Sequence, residues 1–447
     1  MIISSRLKRI IAIITLFGAA TFLTAQETES PDSEPSFDFG LGIDLGAVSF
    51  QEDGESVAYQ RLVLKPDFSY GKLGLGLWIP LHFRFTDSGG EIREEDWVLD
   101  DDENVLEKYL PIFSYVRYGQ KGDDFYAKLG SIEDGTLGNG FIMGGYANTQ
   151  FLPDTRIIGL SLDVDGGLFG FPYVGLETFV GNLALADVIG ARIYARPLAG
   201  TSLPLLPELQ LGTTFAADRI PDAQYDFISG EPDMVQMFGV DLRQPILDKP
   251  TVSLAAFGDL VFQDEAYGGM VGAGGRLIRY ILYGAQLRFL GENFVPVYFD
   301  GQYDLYREEK YAVYNGDIDI PAYAGWYGSL GFSFLQDTVV FLTSVEGGFG
   351  EPDQDIEYPQ VNASLSIGEG LLPGIYFDLS YNKRYIKGLD DFSRPENTVL
   401  GADLNYKTGN ALITLGYTLR HNPLSAAAGE DPWITTATLT TSVDFSF

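Results

Sequence analysis

Thr435-Thr436-Ala437-Thr438-Leu439-Thr440-Thr441-Ser442-Val443-Asp444-Phe445-Ser446-Phe447 keeps a strict parity. Ala437, Leu439, Thr441, Val443, Phe445 and Phe447 fall on one side, and Thr436, Thr438, Thr440, Ser442, Asp444 and Ser446 on the other. A period of two, carried by β-branched and aromatic residues, predicts a strand with one apolar and one wet face.

Moving toward the N-terminus, the rhythm recurs. Ile413, Leu415, Tyr417 and Leu419 alternate with Thr414, Gly416, Thr418 and Arg420, and Leu400, Ala402, Leu404 and Tyr406 with Gly401, Asp403, Asn405 and Lys407. Leu73, Leu75, Leu77, Ile79, Leu81 and Phe83 alternate with Gly74, Gly76, Trp78, His82 and Arg84. The links between such runs come in two lengths. Short ones at 70–72, 336–338 and 407–410 alternate, in the C-terminal half, with long polar ones at 347–358, 386–397 and 422–433. Short turns at one rim and long loops at the other predict an all-β fold. It is a single antiparallel transmembrane β-barrel over 36–447, with short periplasmic turns and long extracellular loops. The expected strand number is roughly 16–20, with about 18 the central value, and even so that both ends share one side.

Composition fits a sheet rich in turns: 45% hydrophobic residues, 14% aromatics and 53 glycines in 447 residues. The chain has no cysteine, which excludes disulfides, thiolate metal sites, cysteine nucleophiles and attachment of lipid through cysteine. A formal charge of −33 excludes nucleic acid as a partner, because a phosphate backbone needs a clustered basic surface. Arg6, Lys8 and Arg9 precede the apolar run Ile10 to Leu23, and Thr24, Ala25 and Gln26 follow. That order reads as a secretory signal peptide over 1–26, cleaved after Ala25 or Gln26, with the acidic stretch 27–35 a flexible linker.

A terminal phenylalanine preceded by apolar residues at alternate positions resembles the β-signal of bacterial outer-membrane proteins. The matching positions are Leu439, Val443, Phe445 and Phe447. The whole of 36–447 is similar in pattern to the acid-rich, porin-like outer-membrane barrels of spirochaetes. The resemblance implies export to the cell outer membrane of a diderm bacterium, with outer-membrane lipid, the barrel-assembly machinery and small solutes as partners, and a homo-oligomer as an open option. Long-chain fatty-acid transporters of the outer membrane would be expected to carry an Asn-Pro-Ala plug near the N-terminus, and the triplet is missing here.

The lumen-facing parity gathers charges of both signs. Basic pore-lining candidates are Arg61, Lys65, Arg84, Arg117, Arg192, Arg196, Arg243, Arg288 and Arg384, beside Lys128, Arg276 and Lys407; His82 joins them. Acidic candidates are Asp241, Asp300, Asp304, Asp378 and Asp403, beside Asp163, Asp165 and Asp444. Such charges either filter solutes by sign or pair with one another and stiffen the wall. Residues 132–153 are glycine-rich and apolar where an exposed loop should be polar. Gly138, Gly140, Phe141, Met143, Tyr146 and Phe151 are candidates for a constriction folded into the lumen, the alternative being one more hairpin.

Chemistry beyond this is thinly supported by the residues. His82 and His421 are the only histidines and lie far apart in sequence, with no serine, asparagine or aspartate signature around them, so no catalytic set and no enzyme is read. The acidic runs at 91–96 and 100–103, Asp163-Val164-Asp165-Gly166 and Asp353-Gln354-Asp355 lack spacings that wrap a hard cation, so no metal site and no cofactor is read. They are solvated loops whose charge draws cations toward the mouth. The function this supports is a porin-like channel for passive diffusion of small hydrophilic solutes, favouring cations. A hydrophobic-solute transporter and a non-conducting barrel whose surface loops bind a partner stay open beside it.

Overall fold

The computed structural model describes residues 37–446 except 53–54, 87–88, 100–103, 153–154, 222–233, 250, 279, 336–337, 351–357, 422–432 and 444. The signal-peptide and linker segments and Phe447 lie outside the described residues.

Strand-forming alternation is realised as one antiparallel sheet that returns to its own first strand. β1 (Phe37–Glu52) pairs along its full length with β2 (Glu55–Tyr70). β3 (Leu73–Leu77) and β4 (Ile79–Thr86) form one stave broken at Trp78, since both lie against β2. β5 (Gly89–Ile92) only folds back on the tip of β4. The ring continues through β6 (Phe113–Tyr118), β7 (Phe125–Gly130), β8 (Gly159–Asp165), β9 (Val174–Val180), β10 (Val188–Ala195) and β11 (Gln210–Asp218). Longer strands follow: β12 (Val235–Lys249), β13 (Val252–Gln263), β14 (Ala266–Leu277), β15 (Ile281–Leu290), β16 (Tyr323–Phe334) and β17 (Val339–Gly348). The last are β18 (Gln360–Leu372), β19 (Ile375–Lys383), β20 (Thr398–Thr408), β21 (Ala411–His421), β22 (Trp433–Val443) and β23 (Phe445–Ser446).

Closure is direct. Asp44 and Leu45 of β1 lie opposite Ser442 and Thr441, and Gly40 and Leu41 opposite Ser446 and Phe445. With β22 and β23 sharing a stave, the barrel has 20 staves. This is the top of the expected range, and the central value of 18 undercounts it. One cause is visible: β6 and β7 are only 6 residues each, too short for a firm alternation. An error of the opposite sign lies at 291–322, where Asp300 and Asp304 were expected on a strand and no strand forms. Among the described residues no helix is long and apolar enough to cross a membrane.

An even number of staves puts Phe37 and Ser446 at the same rim, with the tight turns. Gly71 and Gly409 take positive φ (55° and 60°) there, the left-handed geometry that a two-residue reversal requires. Outward positions such as Phe238, Leu287, Leu404, Leu415 and Leu439 are exposed apolar side chains. The opposite parity holds the charges. The buried apolar core is therefore not between two layers; it lies inside the ring, against β9 to β15.

Candidate functional site

The candidate site is the lumen. Register places Arg61 beside His82, Lys65 beside Gly42, Arg117 beside Lys128 and Gly74, and Arg192 beside Glu177 and Thr214. Arg84, Asp241, Arg243, Arg288, Asp378 and Asp403 share that inward parity. Arg196 follows β10 and reaches the inner face, where it binds Asp165 at 2.6 Å. Asp300 and Asp304 correct the sequence reading, because they lie on an inward-folded loop and not on the wall. Arg384 also lies just beyond a strand end, where its guanidinium covers the Tyr306 ring at 3.7 Å.

Two loops from the same rim fill one sector of the ring. In residues 131–158, Gly135 and Tyr146 exchange backbone hydrogen bonds of 2.8 and 3.0 Å, and the Ile132 N–H donates to the Asn148 side chain at 2.8 Å. Residues 291–322 carry α1 (Arg307–Tyr314) and run alongside: the N–H groups of Val297 and Phe299 donate to the carbonyls of Phe141 and Ile142. Backbone polarity is thus satisfied between the loops, which irregular chain at this depth demands. Phe141, Ile142, Met143, Tyr146, Phe294, Tyr298, Phe299 and Tyr303 are all buried, packed on wall residues including Phe179, Met237, Val261 and Met270. Gly140 lies inside this hairpin and Phe151 stays half-buried at its end. Burial of such side chains contributes about 2 kcal/mol each, enough to hold a loop inside a lumen that would otherwise hold water.

Wall glycines make that packing geometrically feasible. A Cβ on Gly190 would sit 2.7 Å from Leu137, on Gly239 2.9 Å from Ile142 and on Gly268 2.5 Å from Phe294. The wall also holds the loops by charge. Arg192, 2% exposed, grips Asp241 with two hydrogen bonds of 2.6 and 2.9 Å and Glu177 with a third of 2.8 Å. The second oxygen of Glu177 accepts from the Gly138 N–H at 2.9 Å, and Asp259 accepts from the Asn139 side chain at 3.0 Å. On the other loop, Arg307 lies 2.8 Å from Asp187 and 2.7 Å from Asp218, and the Tyr303 hydroxyl donates to Asp218 at 2.6 Å. Tyr146 joins the two loops through Asp304 at 3.2 Å. Burial pushes the Asp304 carboxyl up to about 7, Arg307 pulling it back and Asp187 adding to the rise.

Most basic wall candidates are therefore consumed in pairs: Lys65 with Asp44, Arg84 with Glu91, Arg192 with Asp241, Arg288 with Glu346, and Arg384 with Asp300 at 3.6 Å. His82 binds Asp96 at 2.7 Å, and His421 accepts from the Asn397 N–H. Asp378 and Asp403 stand opposite one another on β19 and β20, and make no ion pair among the described residues. The space left between the loops and the far wall includes a cavity of about 790 Å³, faced by Gln150 and Gln302 on one side and Ser344, Asn362, Ser380 and Asn382 on the other. A second space of about 440 Å³ lies near Lys65 and Trp78, with Arg156 of the first loop stacked on the Trp78 ring at 4.3 Å.

At the closing seam, Leu439 points outward at 64% exposure, Val443 shares its parity, and Phe445 lies opposite Leu41. The sequence reading missed the loop at 291–322 altogether. Its signal was the aromatic density at Tyr298, Phe299, Tyr303, Tyr306, Tyr311 and Tyr314, whose spacing matches no strand period.

A closed antiparallel ring with an apolar exterior, a charged interior and long loops at one rim is the architecture of a bacterial outer-membrane barrel. That is the class the fold defines. No protein-family model and no curated protein matches the chain. Among solved structures it is similar to OpdL of Pseudomonas aeruginosa (12% identity, 93% of this chain and 99% of that one, TM-score 0.32). It is also similar to OccAB4 of Acinetobacter baumannii (8% identity, 93% and 99%, TM-score 0.33). Against CdiB of Acinetobacter baumannii (9% identity, TM-score 0.27) it aligns over 92% of its own length and spans 60% of that chain. The architecture rests on the ladders described above, not on these likenesses.

Proposed function

We propose that the protein is a porin-like outer-membrane channel through which small hydrophilic solutes diffuse, with a preference for cations, and that the loops at 131–158 and 291–322 form its constriction. The observation that carries this is the uneven filling of the ring. One sector is packed with apolar side chains, while the facing sector presents Ser344, Asn362, Ser380 and Asn382 to unfilled space. A polar wall beside a rigid plug narrows a bore without closing it.

Cation preference is supported by one pair of wall carboxylates. Lys65, Arg84, Arg192, Arg196, Arg288 and Arg384 face carboxylates of their own, whereas Asp378 and Asp403 sit side by side on the water-facing wall. Two adjacent carboxylates attract mobile cations and repel anions. Gly138, Gly140, Phe141, Met143, Tyr146 and Phe151 belong to the constriction in this reading. The chain reaches its membrane by losing residues 1–26 and by presenting Leu439, Val443, Phe445 and Phe447 to the assembly machinery. Reversal potential across a planar bilayer with a KCl gradient tests the selectivity. A cation-selective value that shrinks in Asp378→Asn/Asp403→Asn supports it, and a clear anion preference of the unaltered protein overturns it.

A further inference from the structure

Beside the packed sector, the space of about 790 Å³ has a lining unlike the chain around it. Charged residues make up 20% of the sequence, yet among the described residues that face this space only Glu133 carries a charge. Neutral hydrogen-bonding groups take their place. Ser329 of β16, Ser344 of β17, Asn362 of β18 and Asn382 of β19 stand opposite one another in turn, a single row across four staves. One step toward the turn rim Ser364 stands opposite Ser380, and beyond them Asp378 stands opposite Asp403. Asn362 and Ser380 are exposed to the lumen.

Two amides complete the lining from the loops. The Gln150 Nε2 donates to the Gly301 carbonyl at 2.5 Å, and the Gln302 Oε1 accepts from Arg384 at 3.4 Å. The Gln150 Oε1 and the Gln302 Nε2 have no partner among the described residues. Apolar surface is set among these groups. Leu342 stands opposite Ser364 and Gly331, which turns it inward, and it is 42% exposed. The Tyr327 ring shares the parity of Ser329, holds the Arg288 guanidinium at 4.9 Å and borders the same space.

A hydrated ion gains little from such a lining, because neutral groups do not repay its lost water. A solute covered in hydroxyls gains more. Each amide and each hydroxyl of the lining offers both a donor and an acceptor, so the solute exchanges its hydrogen bonds to water for bonds to the protein. The C–H faces of a sugar ring are apolar and match Leu342 and Tyr327. We propose that this space is a binding site for neutral saccharides, whose hydroxyls bond Gln150 and Gln302 on one side and Asn362 and Asn382 on the other. Asp378 and Asp403, next along the wall, accept from vicinal hydroxyls. The volume suits the assignment, since small-molecule sites span about 300–1,000 Å³. The proposal rests on the channel reading and adds to it a substrate class and a site that saturates.

Maltotriose is titrated against the steady current of the chain lacking residues 1–26 in a planar bilayer, with polyethylene glycol of matching mass as the comparison and heat-modifiable electrophoretic mobility confirming a closed barrel in each variant. The expected current falls along a saturating curve with maltotriose, and with the polymer only in proportion to the drop in bulk conductivity. With each current scaled to its sugar-free value, Asn362→Ala/Asn382→Ala raises the half-saturating concentration about tenfold, the loss expected for two neutral hydrogen bonds. Leu404→Ala, on the outward face, leaves it unmoved. A conducting barrel with no saturable fall, or a fall that the double substitution does not shift, overturns the saccharide site and spares the channel, whereas a closed barrel without current overturns both. Should the double variant fail to close, Asn382→Ala alone replaces it and must raise the half-saturating concentration about threefold.

Discussion

Single residues decide whether the loops stay inside the ring. Asp304 shares a buried space with Tyr146, Arg307, Asp187 and Asp218, and its carboxyl is held up to about 7 by burial. On a loop swung out into water the same group titrates near about 3.9. The inserted state thus holds the proton more tightly. It loses stability as pH rises from about 4 to about 7 and loses no more above that window. Current noise through single channels should therefore be greater at pH 8 than at pH 5, and Asp304→Asn should remove the difference; equal noise at both pH values in the unaltered protein speaks against this assignment. Gly268 tests the fit of the second loop. A methyl there would lie 2.5 Å from the buried Phe294 ring, so Gly268→Ala should cost about 1–3 kcal/mol, seen as a lower midpoint for thermal loss of the fast-migrating folded form. Neither residue could be singled out from sequence: the glycine needs a partner 26 positions away, and Asp304 looked like one more alternating wall carboxylate.

At the scale of elements, the first inward loop is the part whose removal changes the bore. Replacing 138–145 by a short linker deletes Phe141, Ile142 and Met143 from the lumen core and frees the Glu177 and Asp259 anchors. Single-channel conductance should rise at least twofold, and an unchanged value contradicts the constriction. This loop was legible because glycines and apolar side chains are misplaced in an exposed connection. Its partner at 291–322 was not. Its aspartates happened to fall at even spacing, and a helix of 8 residues is too short for its own period to show. The strong strands were legible through parity, as at β20 and β21. The short staves β6 and β7 were faint because 6 residues hold only three outward positions.

For the whole molecule, the last strand carried most of the information. Its alternation gave the class of fold, and Leu41 meeting Phe445 is the contact that closes the ring. Parity also put the wall charges on the inner face, since a period of two leaves no other choice. What parity could not tell was which of those charges face water. Arg192 and Arg288 read identically to Arg243, yet the first two are buried in ion pairs and the third is exposed. Depth and pairing depend on strands far apart in sequence. The channel reading requires that the ring keep a water-filled bore beside its packed sector. Conductance of the refolded chain, lacking residues 1–26, across a planar bilayer in graded sizes of polyethylene glycol measures that bore directly. The expected result is a steady ohmic current that small polymers reduce and large ones leave untouched; a folded barrel that carries no current would contradict an open bore.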